Sequence, residues 1–344
     1  MTAPTTVRIG RWRVLASARG ALVPLGLLGC ALTIVFATLG SGPLPVSPAE
    51  LIDTVLRRTD EFDFVVWEIG LPRACVAVLV GAGLGAAGAL VQALTRNPLG
   101  SPDVIGFDSG AAVGALLAML VIGLGERQQA AAFAIAGGAV AAAAVFVLSS
   151  GARDVGYRII LIGIGIGALL DSVSAYLLTR STVRESMNAT RWLVGSLNSS
   201  DWVDVAVAGA GLLILLPAAL VVGRQLRVVL LGPEVASALG VRLGLVTAAT
   251  LTVSVGLSAV AVMAAGPISF VALAAPQLAL RMVGGRRAPV VLASAAMGAT
   301  LLAASDLIGS RAFGDTDLPV GVITGGVGGI YLAWLLSREW RRRA

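Results

Sequence analysis

Asp171 is the acidic residue with the strongest claim to a chemical role, because it lies inside a long apolar stretch of this 344-residue chain. An ionised aspartate at the centre of a membrane helix costs roughly 2.5 to 3.5 kcal/mol on insertion scales, so a functional role is the default hypothesis. Coupling to protons or sodium ions is one such role. Ser172 and Ser174 are close in sequence, and an Asp171 that faces a helix bundle, hydrogen-bonded or protonated, is the structural alternative. The sequence leaves both interpretations open.

Much other chemistry is excluded by missing residue types. All 25 basic residues are arginine, and the chain contains neither lysine nor histidine. Without lysine there is no Walker A phosphate loop, and without histidine there is no Ser-His-Asp triad and no imidazole metal ligand. Cys30 and Cys75 stand in separate apolar stretches, which indicates neither a disulfide framework nor a thiolate metal site. We therefore predict that the chain is not an enzyme, hydrolyses no ATP itself and binds no metal or cofactor.

The elements that position these residues are membrane helices. The chain is 57% hydrophobic and 13% charged, with a mean hydropathy of +0.91. A bilayer core about 30 Å thick requires roughly 20 apolar residues of helix. The sequence therefore predicts an all-α integral membrane protein, with a segment 1–20, a ten-helix transmembrane domain over 21–338 and a tail 339–344. The predicted helices span residues 21–40, 70–93, 104–124, 130–150, 157–179, 203–223, 245–264, 268–283, 289–309 and 318–337.

The arginines predict the orientation of these helices. With the N-terminus inside, most of the arginines fall on one side of the membrane. Because loops rich in arginine are retained in the cytoplasm, ten crossings place both termini in the cytoplasm. The arginines in the cytoplasmic loops explain the net charge of +6 better than a nucleic acid partner does. Nucleic acid is not an expected partner, because the arginines are dispersed over short loops rather than clustered with aromatic residues.

A cytoplasmic turn follows the second predicted helix. It consists of Arg96, Asn97, Pro98 and Leu99, and a second proline stands at Pro102. Two prolines within five residues force a turn, after which a glycine-rich helix begins. A tight connection between helices is the alternative to a functional role.

A second cytoplasmic segment, residues 224–244, contains a short predicted helix. Pro233 suits the first helical position, Glu234 suits the positive end of the helix dipole, and Gly240 suits a left-handed stop. Val235 and Leu239 share one face of this helix. Since so short a helix has little intrinsic stability, we expect a docking partner, with a plain connector as the alternative.

Further segments complete a recognisable set, namely residues 71–73 (LPR), 97–110 (NPLGSPDVIGFDSG), 266–281 (GPISFVALAAPQLALR) and 317–322 (DLPVGV). With these segments the chain resembles the permease subunits of bacterial ATP-binding-cassette importers for iron siderophores, haem and cobalamin. The resemblance extends over nearly the whole chain, from Leu71 to Tyr331. The 97–110 segment is most similar to permeases for ferric enterobactin and related catecholate siderophores.

The resemblance implies the architecture of a type II importer. A ten-helix permease pairs with a second permease above a dimer of cytoplasmic ABC ATPases, which use ATP and Mg²⁺, and an extracytoplasmic binding protein delivers the substrate. The implied docking residues for that protein are Arg73 and Arg311, although Gly70 stands where relatives often have an arginine. This departure and the siderophore match favour a heterodimer of permeases over a homodimer. The implied ATPase-coupling residues are Gly232, Pro233, Glu234, Val235, Ala236, Leu239 and Gly240.

The leading hypothesis is therefore a permease subunit that imports an iron chelate by alternating access, with a ferric siderophore of the catecholate type favoured. Haem or cobalamin is the alternative substrate for the same class of importer. The rival from another class is a secondary transporter, driven by protons or sodium through Asp171 and built from inverted repeats and broken helices. A third hypothesis is an intramembrane enzyme or scaffold, of which the enzyme is the weakest, because no acidic pair and no nucleophile with its base lie at matching depth in the sequence.

Overall fold

The computed structural model describes residues 5–9, 12–16, 18–41, 46–124, 126–150, 155–284, 290–312 and 318–343. It begins with a small antiparallel hairpin, β1 (Thr5–Ile9) and β2 (Trp12–Ala16), in a segment for which the sequence predicted no regular structure. The described residues are otherwise helices and short connections. The helices are α1 (Ala18–Gly40), α2 (Pro48–Val55), α3 (Leu71–Thr95), α4 (Phe107–Leu116), α5 (Arg127–Ser149), α6 (Val155–Arg180), α7 (Val183–Leu193), α8 (Trp202–Val229), α9 (Pro233–Ala238), α10 (Leu243–Ala265), α11 (Val271–Val283), α12 (Val291–Arg311) and α13 (Val320–Arg343).

Ten of these helices form the predicted membrane domain. A π-helical segment, Phe64–Gly70, runs directly into α3, and another, Leu117–Ile122, extends α4. Within the described ranges, seven helices are long and apolar enough to cross a membrane, namely α1, α3 with its π-helical start, α5, α6, α8, α10 and α12. The extended α4, α11 and α13 are shorter apolar helices. The prediction of an all-α membrane protein with about ten membrane helices is confirmed.

The most buried helix is α3, which packs against α8, α10, α11 and α12. Its alanine and leucine side chains, such as Ala86 and Leu90, join Leu257 of α10 and Ala299 of α12 in one core cluster. Small residues are suited to this position because helices in lipid associate through close backbone packing rather than through the hydrophobic effect. The core of the protein is therefore centred on α3.

Glycines at four-residue spacing bring α3 and α12 into contact. A Cβ added at Gly81 or Gly85 would overlap the backbone of Gly298 or Ser294, respectively. Gly110 and Gly114 of α4 meet α5 in the same way. In α13, by contrast, Cβ atoms added at Gly325 or Gly329 would meet no atom within 4 Å. The glycines of α3 and α4 thus serve packing within the chain, as does Gly321 at the start of α13, whereas Gly325 and Gly329 leave an open face on α13.

This packing predicts the effect of enlarging Gly85. Because a Cβ at this position would overlap the carbonyl oxygen of Ser294, Gly85→Ala should force α3 and α12 apart and destabilise the protein by about 1–3 kcal/mol. The measurement is the thermal unfolding temperature of the purified protein in detergent. Gly29→Ala is the matched control, because a Cβ at Gly29 of α1 meets nothing within 4 Å. Equal unfolding temperatures for the two variants would contradict the packing assignment.

The three remaining helices lie outside the ten apolar ones and mark the two ends of the bundle. At one end, α9 connects α8 to α10. At the other end, α2 and α7 lie among the connections between α1 and α3 and between α6 and α8. We call these the α9 end and the α7 end of the bundle. The predicted orientation would make the α9 end cytoplasmic.

Candidate functional site

The predicted coupling helix is present as α9, and its ends follow from the residues that flank it. Gly232 adopts φ +120° and Gly240 adopts φ +80°, values that favour glycine. Pro233 occupies the first turn, where its missing N–H leaves no hydrogen bond unmade. Backbone N–H groups of Leu239, Gly240 and Val241 close the other end through bonds to carbonyls within α9.

One side chain of α9 is buried against the rest of the protein, and the others include an exposed apolar face. Ala236 is fully buried, whereas Val235 and Leu239 are 46% and 63% exposed, and the preceding Leu231 is 66% exposed. Glu234 is also exposed, so the helix presents apolar groups beside a charge. Apolar side chains displayed on a short helix outside the membrane are typical of a docking surface.

The turn of Arg96 to Leu99 lies beside this helix. Arg96 ends α3 in the left-handed conformation, with φ +52°, and its Nη2 donates to the Val229 carbonyl at 2.8 Å. The Asn97 side chain accepts from the backbone N–H of Leu99 at 2.9 Å and fixes the turn. Val229 is the last residue of α8, three residues before Gly232. The structure thus brings together two segments, more than 130 residues apart in the chain, that the sequence predicted separately.

The two predicted docking arginines lie at the α7 end, and both have partners within the chain. Arg73 Nε donates to Asp306 at 2.9 Å, and the two side chains are only 14% and 3% exposed. Arg311 donates to the Ser41 hydroxyl at 3.2 Å and to the Thr38 carbonyl at 3.4 Å. Arg73 therefore has a neutralised charge, whereas Arg311 contacts neutral groups. A docking role for either arginine stays a prediction.

Asp171 lies on an exposed face of α6. Exposed Leu161, Ile164, Leu169 and Tyr176 belong to the same helix, which is among the least buried helices of the described structure. Ser172 donates to the Ala168 carbonyl rather than to Asp171. In the described residues α6 directs Asp171 away from the other helices of this chain, and its role stays a prediction.

A cavity of about 280 Å³ lies at the α7 end, at a place that the sequence did not predict. It is bounded by the start of α5, by α7 and the loop after it, and by the end of α10. The polar side chains that line it include two arginines, an amide and two hydroxyls: Arg127, Arg191, Asn188, Ser196 and Ser199. Trp192, Val262 and Met263 form part of its apolar wall.

Two capping boxes hold the walls of this cavity. At the start of α7, Thr182 and Glu185 exchange hydrogen bonds, and the bonds from Thr182 lower the pKa of Glu185. At the start of α8, Asp201 and Asp204 are paired in the same way. Asp204 also accepts from Nη2 of Arg127, at 2.6 and 2.5 Å. The spacing of Ser or Thr followed three residues later by Glu could have identified α7 in the sequence.

Comparison with known proteins gives consistent matches over most of the chain. The model of the FecCD transport family matches residues 30–338. The ferric enterobactin transport system permease protein FepG of Escherichia coli (strain K12) is 40% identical over 279 residues, which are 81% of this chain and 84% of the relative. The achromobactin transport system permease protein CbrC of Dickeya dadantii (strain 3937) is 35% identical over 324 residues, 92% and 91% of the two chains.

A solved structure has the same fold. It is an inward-facing conformation of a metal-chelate type ABC transporter, with a TM-score of 0.75 and 24% sequence identity. The match covers 92% of this chain and 99% of that one. At this level of identity the likeness supports the arrangement of the helices and no finer assignment.

Proposed function

Because this chain belongs to the FecCD transport family, we propose that it is a permease subunit of an ATP-driven importer that carries a ferric siderophore across the inner membrane. Membership of the family confirms the resemblance found in the sequence. It also confirms that the chain is a multi-pass membrane protein of a transporter for iron chelates, without an ATPase site of its own.

The exposed apolar face of α9 is the observation that supports a separate ATPase as the source of energy. Val235 and Leu239 lie outside the membrane helices, and the described residues leave 46% and 63% of them exposed. A groove on each subunit of a cytoplasmic ABC ATPase dimer would bury such a face, and the ATPase would supply the ATP and Mg²⁺ chemistry. This arrangement would place the α9 end, and with it both termini, in the cytoplasm.

The contacts around α9 provide a path from the ATPase to the membrane helices. The backbone N–H of Gly232 donates to the Val229 carbonyl at 3.1 Å, so α9 follows the end of α8 without a slack linker. Arg96 donates to the same carbonyl and adds the end of α3. A displacement of α9 when the ATPase dimer closes would therefore move α8 and α3 together, as rigid bodies, and alternate the access to the substrate path.

A second permease would cover the open faces of α6 and α13. Gly165, Gly325 and Gly329 have open space where a Cβ would stand, which permits a neighbouring helix to approach closely. In such a pair, Asp171 would face the partner or the path between the subunits. We favour a heterodimer, because Gly70 replaces an arginine that a symmetric docking surface for the binding protein would use twice.

The substrate assignment rests on the relatives. The printed names of two relatives with substantial identity specify ferric enterobactin and achromobactin, so a siderophore is favoured over haem or cobalamin. The greater identity to the enterobactin permease favours a catecholate. An extracytoplasmic binding protein would deliver the chelate at the α7 end, where Arg311 keeps a charge available for docking and Arg73 shares its charge with Asp306.

The test is uptake by proteoliposomes that contain this permease, its partner permease and the ATPase. Radioactive iron is supplied as ferric enterobactin, with haem and vitamin B12 as competing substrates, and the binding protein is added outside. We expect uptake of the ferric chelate only when ATP reaches the ATPase. Uptake that proceeds without the ATPase, driven by a proton or sodium gradient, would overturn the proposal.

The same preparation tests the role of Asp171. If ATP drives the transport, Asp171→Asn should leave the rate of uptake within about twofold of the unmodified protein, since no coupling ion binds there. The dependence of uptake on external pH should also stay the same. Ser172→Ala, on the neighbouring position of α6, is the matched control for local effects. A variant that loses coupling to a proton gradient would instead support the secondary transporter.

A further inference from the structure

The cavity at the α7 end is a candidate binding site that the proposed function does not yet use. Its arginines come from two elements, Arg127 from the first turn of α5 and Arg191 from the last turn of α7. Asn188 lies one turn before Arg191 on the same helix. Several hydrogen-bond donors thus converge on one concave surface at the end of the bundle where the chelate would arrive.

Arg191 is available to a ligand. It is exposed and forms no hydrogen bond or ion pair with another residue in the described parts of the chain. Its guanidinium carries five N–H donors in a planar fork, the arrangement that matches the paired oxygens of a carboxylate or a catecholate. Glu126 is the acidic side chain that reaches the cavity, and it is exposed at the first position before α5, where solvent screens its charge.

Arg127 is held in place rather than available. Its Nη2 contacts both carboxylate oxygens of Asp204, and Asp204 is only 5% exposed. Asp204 in turn accepts from the backbone N–H of Asp201 at 3.1 Å. This chain of contacts fixes the guanidinium at the cavity wall and leaves its Nε and Nη1 donors outside the ion pair. A ligand would therefore meet Arg191, which has no ion pair in the described parts of the chain, and an Arg127 whose charge is offset by Asp204.

Contacts within the chain also hold the other walls of the cavity in place before a ligand binds. Gly195, at φ +72°, lies against the Pro267 carbonyl, where a Cβ would overlap it. The backbone N–H of Ser196 donates to the Ala265 carbonyl at 2.9 Å. These contacts join the loop after α7 to the end of α10. Ligand sites are commonly preformed cavities of this kind, mostly apolar with a few polar groups that orient the ligand.

We propose that this cavity is a subsite for one anionic arm of the ferric chelate, whose catecholate or carboxylate oxygens bind Arg191. The inference rests on the proposed function and adds a recognition site to it. A volume of about 280 Å³ lies at the small end of the range of roughly 300–1,000 Å³ usual for ligand cavities, which suits one arm of a bulky chelate. Trp192 and Val262 would pack against the ring or carbon chain of that arm.

Replacing Arg191 by glutamine is the direct test. In proteoliposomes with the partner permease, the ATPase and the binding protein, Arg191→Gln should raise the KM for ferric enterobactin about tenfold, the loss of one charged hydrogen bond. Arg184→Gln is the matched control, because Arg184 is exposed on the same helix but does not line the cavity. Arg191→Lys should have an intermediate KM, because it keeps the charge and loses the fork.

A binding measurement separates the chelate from other anions. The permease complex in nanodiscs, without binding protein, should bind 2,3-dihydroxybenzoate, and Arg191→Gln should weaken that binding about tenfold while Arg184→Gln does not. If Arg191→Gln instead weakens only the affinity for the iron-free binding protein, the cavity receives a carboxylate of that protein and the proposal is wrong. Equal KM values for the two glutamine variants would also overturn it. A wild-type complex that binds 2,3-dihydroxybenzoate but imports no chelate would contradict the proposed function alone.

Discussion

Leu239→Glu is expected to separate the permease from its ATPase and to stop ATP-driven uptake, while the membrane helices stay folded. Leu239 is 63% exposed and shares a face with Val235, so the change removes an apolar contact and adds a charge without disturbing the core. A hot-spot residue at the centre of an interface contributes about 2 kcal/mol or more, and an unpaired carboxylate buried there adds a further cost, so the affinity should be at least about 30-fold weaker. The affinity is measured by titrating the purified ATPase against the permease pair in nanodiscs.

Ser237→Glu is the matched control for this variant. Ser237 is exposed on the side of α9 opposite to Val235 and Leu239, so it receives the same charge on the same helix. Its ATPase affinity should stay near that of the unmodified protein. If Leu239→Glu binds the ATPase normally, or if both variants lose binding to the same extent, the exposed apolar face is not the docking surface.

Asp306→Ala should destabilise the membrane domain by about 3–5 kcal/mol, because it leaves the Arg73 guanidinium without its carboxylate in a site that is almost closed to solvent. The measurement is thermal or denaturant unfolding in detergent. The double variant Arg73→Met with Asp306→Leu should recover most of the loss, since replacing both charges removes the unpaired one.

An exposed pair at the same end of the bundle is the control. Arg58 and Asp53 are 3.4 Å apart, with side chains 67% and 47% exposed, so Asp53→Ala should change the stability by less than about 1 kcal/mol. Equal losses for Asp306→Ala and Asp53→Ala would contradict the burial argument. The double variant also tests docking: if it keeps full affinity for the binding protein, Arg73 serves the fold and not the docking surface.

The membrane helices and α9 could be predicted from the sequence for different physical reasons. A membrane helix can be recognised by its length and apolar composition, because crossing the lipid core requires both. The short α9 was predicted from its ends, where Pro233 and Gly240 fit their positions through backbone geometry alone. Both signals are local, so one sequence is enough to read them.

Partners distant in the chain could not be predicted in this way. Arg73 and Asp306 are separated by 233 positions, and Arg127 and Asp204 by 77, so only the packing of α3 on α12 and of α5 near α8 brings them together. The direction of Asp171 was equally inaccessible, because α6 is apolar on all sides and has no polar stripe to reveal its outer face. The cavity at the α7 end depends on such pairings and on α7. The capping box of Thr182 and Glu185 could have predicted α7, but not the helices that α7 would meet.

The open faces of α6 and α13 have a consequence for how a cell must make this protein. Asp171 is exposed on α6, and until another subunit covers this face a bilayer would place its carboxyl group against acyl chains, which solvate a charge poorly. A copy without its partner subunit would therefore be unstable in the membrane, and proteases that remove unassembled membrane proteins could recognise it. For the proposed heterodimer, synthesis of both permeases in matched amounts, close together in time, would keep that species rare.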